Sequence, residues 1–209
     1  MGAITAVISL LKKPEKSFDM LNKEKITVLY FSLALIIFSS IYGAIYGYLL
    51  DKIFQTSLAF AWKFPVTEIL TILFATIPLY MLTWIFGSRD TVINAFSRNL
   101  VTFLVATLVM LAILPLNILY SLTDHSPVVL HIISIWLGGA ASIRYLYLYF
   151  KHEKRKDWET VILIIVTLCI LIFTLVQFVD LLFHPTPKVR AGILAEASYG
   201  FVEKASVVR

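Results

Sequence analysis

Charge is scarce in this chain. Asp, Glu, Lys and Arg make up 15% of its 209 residues, where a soluble domain carries roughly a quarter. Cysteine is reduced to one, Cys169, which excludes an internal disulfide. No Cys/His spacing suggests a zinc site, so this thiol reads as a small apolar side chain in a helix. A cleavable leader is not indicated, because the first 25 residues hold five lysines but lack an uninterrupted apolar core. The Met-Gly start is followed by Ala6 where a lipidation motif needs Ser or Thr. No nucleophile–base pair, Gly-rich phosphate loop or nucleotide motif is present. The sequence therefore points away from an enzyme, and it implies no cofactor and no metal.

What is abundant is apolar. Hydrophobic residues make up 59% of the chain and the mean hydropathy is +0.86. Several apolar runs reach the ~20 residues that a helix needs to cross a hydrocarbon core. The pattern predicts an all-α polytopic membrane helical bundle with about five transmembrane helices, at 26–50, 66–86, 100–121, 128–150 and 160–183. Pro65 suits the start of the second span, and Ser126-Pro127 reads as a cap with proline at the first helical position of the fourth. Pro78 and Pro115 fall inside spans, where neighbouring helices satisfy freed carbonyls.

Two flanks complete the organisation. In residues 1–25, Ile4, Val7, Ile8 and Leu11 form one apolar stripe followed by Lys12 and Lys13. This predicts a short N-terminal amphipathic helix, lying on an anionic leaflet or packed on the bundle. The tail 184–209 predicts a short amphipathic helix from about Val189 to Lys204, with disorder as the alternative.

Sidedness follows from counting Lys and Arg on each side of the spans. With the N-terminus inside, the inner pieces 1–25, 87–99 and 151–159 carry eleven, and the outer connectors with the tail carry six. The cytoplasmic side then holds the N-terminus, and the tail lies outside.

The stretch "WIFGSRDTVINAFSRNLV" (84–101) contains the one polar break between the second and third spans. Asp90 is placed to cap a new helix starting near Thr91. Arg89 and Arg98 then sit at headgroup level, where each attracts phosphate for about 1 kcal/mol. Arg144, in "SIRYLYLYFKHEKR", lies about 9 Å of helical rise from the end of its span. It either snorkels to lipid phosphate or meets a buried partner or ligand. Lys154, Arg155 and Lys156 form a basic juxtamembrane turn. Anionic headgroups, not nucleic acid, are the implied contact.

Glu68, Asn117, His131 and Asp180 are predicted near the outer ends of their spans, with Asp124, His125 and His184 just beyond. Together they either bind a cation or relay protons, or each bonds locally in the wet interface. No pair has the spacing of a helical metal site. Ser39, Gly43 and Gly47 form a small-residue stripe that lets two helices approach, internally or between two copies. Tyr42, Tyr46 and Tyr48 read as aromatic-belt residues near the outer end of the first span.

Three segments carry a family resemblance: "LLKKPEKSFDML", "LTWIFGSRDTVINAFSRNLVTFLVATLVMLAILP" and "IISIWLGGAASIRYLYLYFKHEKRKDWETVILIIV". They resemble the Pro-containing lead-in, the Phe-Gly turn with its Phe-bearing helix start, and the Trp-containing fourth span with its basic turn, of the Ypt-interacting-protein (YIP) family of five-span membrane proteins. The resemblance covers most of residues 10–180. It implies a helical bundle with a cytoplasmic N-terminus. Eukaryotic members are adaptors that bind small GTPases and partner membrane proteins. This chain lacks their long N-terminal region and is similar to the short prokaryotic members, implying a prokaryotic plasma membrane. The sequence thus favours a non-enzymatic scaffold, adaptor or bilayer-shaping bundle, contacting lipids and other membrane proteins or a second copy. A small transporter or channel using the outer polar residues is the alternative, and a lipid-modifying enzyme ranks last.

Overall fold

The computed structural model describes residues 25–86, 91–123, 128–152 and 156–183, and among them every regular element is a helix. Five helices follow in order: α1 (Lys25–Asp51), α2 (Phe54–Ile85), α3 (Val92–Ser121), α4 (Val128–His152) and α5 (Asp157–Phe183). All five are long and apolar enough to cross a membrane. In hydrocarbon every backbone amide must be satisfied within its own segment, so apolar runs of this length fold as helices. The chain is an all-α, multi-pass membrane bundle. The predicted helices at 1–25 and 189–204, and the cap at Ser126, lie outside the described residues.

One boundary differs strongly from the sequence expectation. The second helix begins at Phe54, twelve residues before the predicted start, and carries Pro65 and Pro78 in its interior. The connector predicted at 51–65 is therefore only Lys52 and Ile53. Lys52 takes a left-handed φ of 56°, and its amide donates to the Tyr48 carbonyl at 2.7 Å, closing α1. The third helix begins at Val92, as expected from the start near Thr91 and eight residues before the predicted span, and at about 45 Å long it exceeds a ~30 Å hydrocarbon core. Its cap is Thr91, whose hydroxyl accepts from the Asn94 amide at 3.2 Å. Asp90, the predicted cap, lies outside the described residues.

Successive helices run antiparallel, so the bundle has a Lys25 end and a Lys52 end. The closest pairings are α1 with α2 and α3 with α4. Helix α5 leans mainly on α2, and its contact with α4 is slighter. All five helices feed one core towards the Lys25 end, built from Phe31, Leu35, Ile72, Leu100, Leu104, Leu146, Phe150 and Leu163 among others. A smaller cluster of Tyr42, Tyr46 and Leu114 fills the Lys52 end. Large apolar side chains cover the outside, with Trp136 at 76% and Phe173 at 67% exposure. Such a surface suits lipid and would be anomalous in water.

Two stretches of small residues set the tightest crossings. A Cβ on Gly43 would fall 2.5 Å from the Phe60 carbonyl oxygen, and one on Gly47 would fall 2.9 Å from the Thr56 carbonyl oxygen. The Ser39, Gly43, Gly47 stripe therefore faces α2 of the same chain. On the opposite pair, a Cβ on Gly138 would fall 3.0 Å from the Ala106 carbonyl oxygen.

Candidate functional site

Three helices meet at Glu68. It lies near the middle of α2, facing Ser39 near the middle of α1 and Thr107 near the middle of α3. The Ser39 hydroxyl donates to Glu68 Oε2. The Thr107 hydroxyl lies 3.0 Å from Glu68 Oε1 and, equally, 3.0 Å from the Phe103 carbonyl, so its single proton is shared. Glu68 is buried. This position corrects the sequence reading, which set Glu68 near the outer end of a span. Because α2 starts twelve residues earlier than predicted, the carboxyl falls at mid-bundle, where an unaccompanied carboxylate would be costly.

One turn further along α1, Tyr42 Oη lies 2.5 Å from His131 Nδ1 on α4. The His131 ring stacks on Tyr46 with centroids 3.8 Å apart, and Phe64 approaches edge-on at 6.3 Å. Tyr42 and Tyr46 are thus buried partners of a histidine, whereas Tyr48 is exposed. The belt reading is corrected for Tyr42 and Tyr46, which point into the bundle. Their spacing at i and i+4, in step with Ser39, Gly43 and Gly47, was the available signal, since all five residues share one face of α1.

Among the described residues, the members of the predicted outer cluster are not brought together. Glu68 and His131 lie at different depths and engage different partners. Asn117 is 0% exposed on α3, and among the described residues neither its Oδ1 nor its Nδ2 has a hydrogen-bond partner. Asp180 belongs to α5, and its side chain lies outside the described residues. Among the described residues no three His, Cys, Asp or Glu groups come together as metal ligands. Cys169 is exposed on α5.

The basic residues divide in the same way. Arg98, expected at headgroup level, is 1% exposed. Its guanidinium lies 5.4 Å from the Tyr149 ring centroid and 5.2 Å from that of Phe150. The headgroup reading is corrected because Arg98 lies on the face of α3 that turns into the bundle. Its delocalised cation stacks on aromatic faces where a lysine's hydrated ammonium would fit poorly. Arg144 and Lys156 are exposed. Arg89, Lys154 and Arg155 lie outside the described residues.

Further ties were not anticipated from the sequence. The Ser142 hydroxyl on α4 donates to the Thr102 carbonyl on α3 at 2.9 Å. Asn99 Nδ2 on α3 donates to Thr76 Oγ1 on α2 at 3.3 Å. Thr67, Thr71, Thr102 and Ser134 return their hydroxyls to carbonyls four residues earlier, which satisfies them in an apolar medium.

Compared with family models, curated proteins and solved structures, the chain matches none.

Proposed function

We propose that this chain is a non-enzymatic membrane scaffold, a bundle whose interior fixes one shape and whose outward faces meet lipid and other membrane proteins. The observation that carries this reading is how the buried polar groups are used. Glu68, Ser39, Thr107, Tyr42, His131, Ser142, Asn99 and Thr76 tie α1, α2, α3 and α4 to one another. In lipid, where apolar helix faces gain little by leaving the solvent, such ties and close small-residue crossings define the assembly. The YIP-like sequence features support the same reading. Together with the lysine and arginine distribution, they favour a reading in which the Lys25 end faces the cytoplasm of a prokaryotic cell. A photo-crosslinker at Trp136 or Phe173 in native membranes tests the scaffold. It is expected to trap a discrete set of membrane-protein adducts, and a pattern no different from that of unrelated spans would overturn it. Sidedness is checked by cysteine labelling from outside intact cells. Asp124→Cys is expected to react and Arg155→Cys to stay protected.

A second reading rests on the line that Glu68, Ser39, Tyr42 and His131 trace from mid-bundle towards the Lys52 end. Such a line suits proton or cation movement. Proteoliposomes separate the two readings. The scaffold shows protein-free flux, and a transporter shows flux that Glu68→Gln abolishes.

A further inference from the structure

The slight contact between α4 and α5 leaves a groove on the lipid-facing side of the bundle. Ala140, Ile143, Arg144 and Tyr147 of α4 face Val161, Ile164 and Ile165 of α5 around a cavity of about 430 Å³. Its walls are apolar except for Arg144 and Tyr147. Lys151 continues the same face of α4, since residues at i, i+3 and i+7 line up on a helix. Its ammonium lies 3.2 Å from Tyr147 Oη and 5.4 Å from that ring's centroid. Asp157 at the head of α5 offsets part of the Lys151 charge. Among the described residues Arg144 has no hydrogen bond or ion pair. It stands eight residues before the end of α4, about 12 Å of rise, beside a cleft of acyl-chain character.

We propose that this groove seats one anionic glycerophospholipid, with its phosphate between Arg144 and Lys151 and an acyl chain along Ala140, Ile143, Val161 and Ile165. A cation inside the apolar zone needs an anion or water to accompany it. A phospholipid supplies the anion at the level where the side chain can reach it and fills the apolar cleft with the same molecule. A soluble phosphate satisfies only the first requirement, and an apolar helix of another protein only the second. Juxtamembrane cations attract anionic lipid for about 1 kcal/mol each, and a guanidinium that meets the phosphate as a bidentate donor adds geometric selectivity. The inference rests on the membrane assignment and stands whether the bundle is a scaffold or a transporter.

The test uses the full chain in nanodiscs of phosphatidylcholine containing a minor fraction of phosphatidylglycerol. The protein is transferred to lipid-free mild detergent, and retained lipid is counted per chain by mass spectrometry. Wild type is expected to keep phosphatidylglycerol in preference to phosphatidylcholine. Arg144→Gln and Lys151→Gln are each expected to lower retention about fivefold. Ile165→Trp, which fills the acyl seat without touching either charge, should lower it as well, and Lys52→Gln at the far end should not. Helicity and melting temperature of every variant are compared with wild type, so that loss of fold is separated from loss of the site. The proposal is overturned by wild-type retention in Arg144→Gln, or by equal retention of the two lipids. Stripping of the lipid by excess inorganic phosphate, or its replacement by a co-purifying protein, overturns it too.

Discussion

The α1–α2 crossing and the α4–α5 groove are built from similar apolar helices and have opposite outcomes. In the first, Gly43 and Gly47 bring two backbones together so closely that a methyl group would strike the partner's carbonyl oxygens. A serine–glutamate hydrogen bond then ties the pair at mid-depth. In the second, the facing residues are Ile143, Tyr147, Ile164 and Ile165, which hold the helices apart and leave a cleft. Helices in lipid are held together by different forces from those in water. Apolar side chains are as well accommodated by acyl chains as by one another, so bulk does not drive association; close packing and shared polar groups do.

Gly43 is where the α1–α2 crossing is most vulnerable. Gly43→Leu would drive a branched side chain into the Phe60 backbone and is expected to cost about 3 kcal/mol. It should be seen as a lower melting temperature in a fixed mild detergent. Glu68→Ala comes next. It leaves the Ser39 and Thr107 hydroxyls without their shared acceptor and opens a void, for an expected loss of about 2 kcal/mol. Chemical unfolding in the same detergent checks it, and Glu68→Gln should lose less, because an amide oxygen still accepts one hydroxyl.

Adjacent glycines on α4 sharpen the same contrast at smaller scale. Gly138→Ala places a methyl 3.0 Å from the Ala106 carbonyl oxygen and is expected to destabilise by about 1 kcal/mol. Gly139→Ala meets no atom within 4 Å and should be neutral or stabilising by up to about 1 kcal/mol through helix propensity. Paired melting curves decide between them, and equal effects would sink the packing account. The smallest expected change is at the groove, where Arg144→Gln should leave stability within about 0.5 kcal/mol of wild type. Its effect belongs to lipid retention alone.

The number of helices was legible because a membrane span is written in consecutive residues. A run of some twenty apolar side chains needs no knowledge of its neighbours to be recognised. The ends were less legible. Helix α2 runs on through Lys63 and Pro65, where charge and proline suggested a connector, because a lysine's long side chain can reach towards water and neighbouring helices accommodate a proline inside a membrane helix. That error moved Glu68 from the interface to mid-bundle in space without changing its number. Arg98 was misplaced for a related reason. An arginine beside a turn ordinarily faces headgroups, whereas this one turns inward onto the α4 aromatics Tyr149 and Phe150, fifty residues away in sequence. The small-residue stripe of α1 was readable as a packing face, but its partner was not, since a stripe fits an internal helix and a second copy equally well.

The sequence by itself determined the solvent, the helical class and the count of spans, because each of these depends on hydropathy summed along a single segment. The tertiary structure decided which polar residues meet. Ser39 with Glu68 and Thr107, Tyr42 with His131, and Arg98 with Tyr149 and Phe150 are pairings between helices. Their existence depends on the relative rotation and depth of two rods, which local composition does not encode.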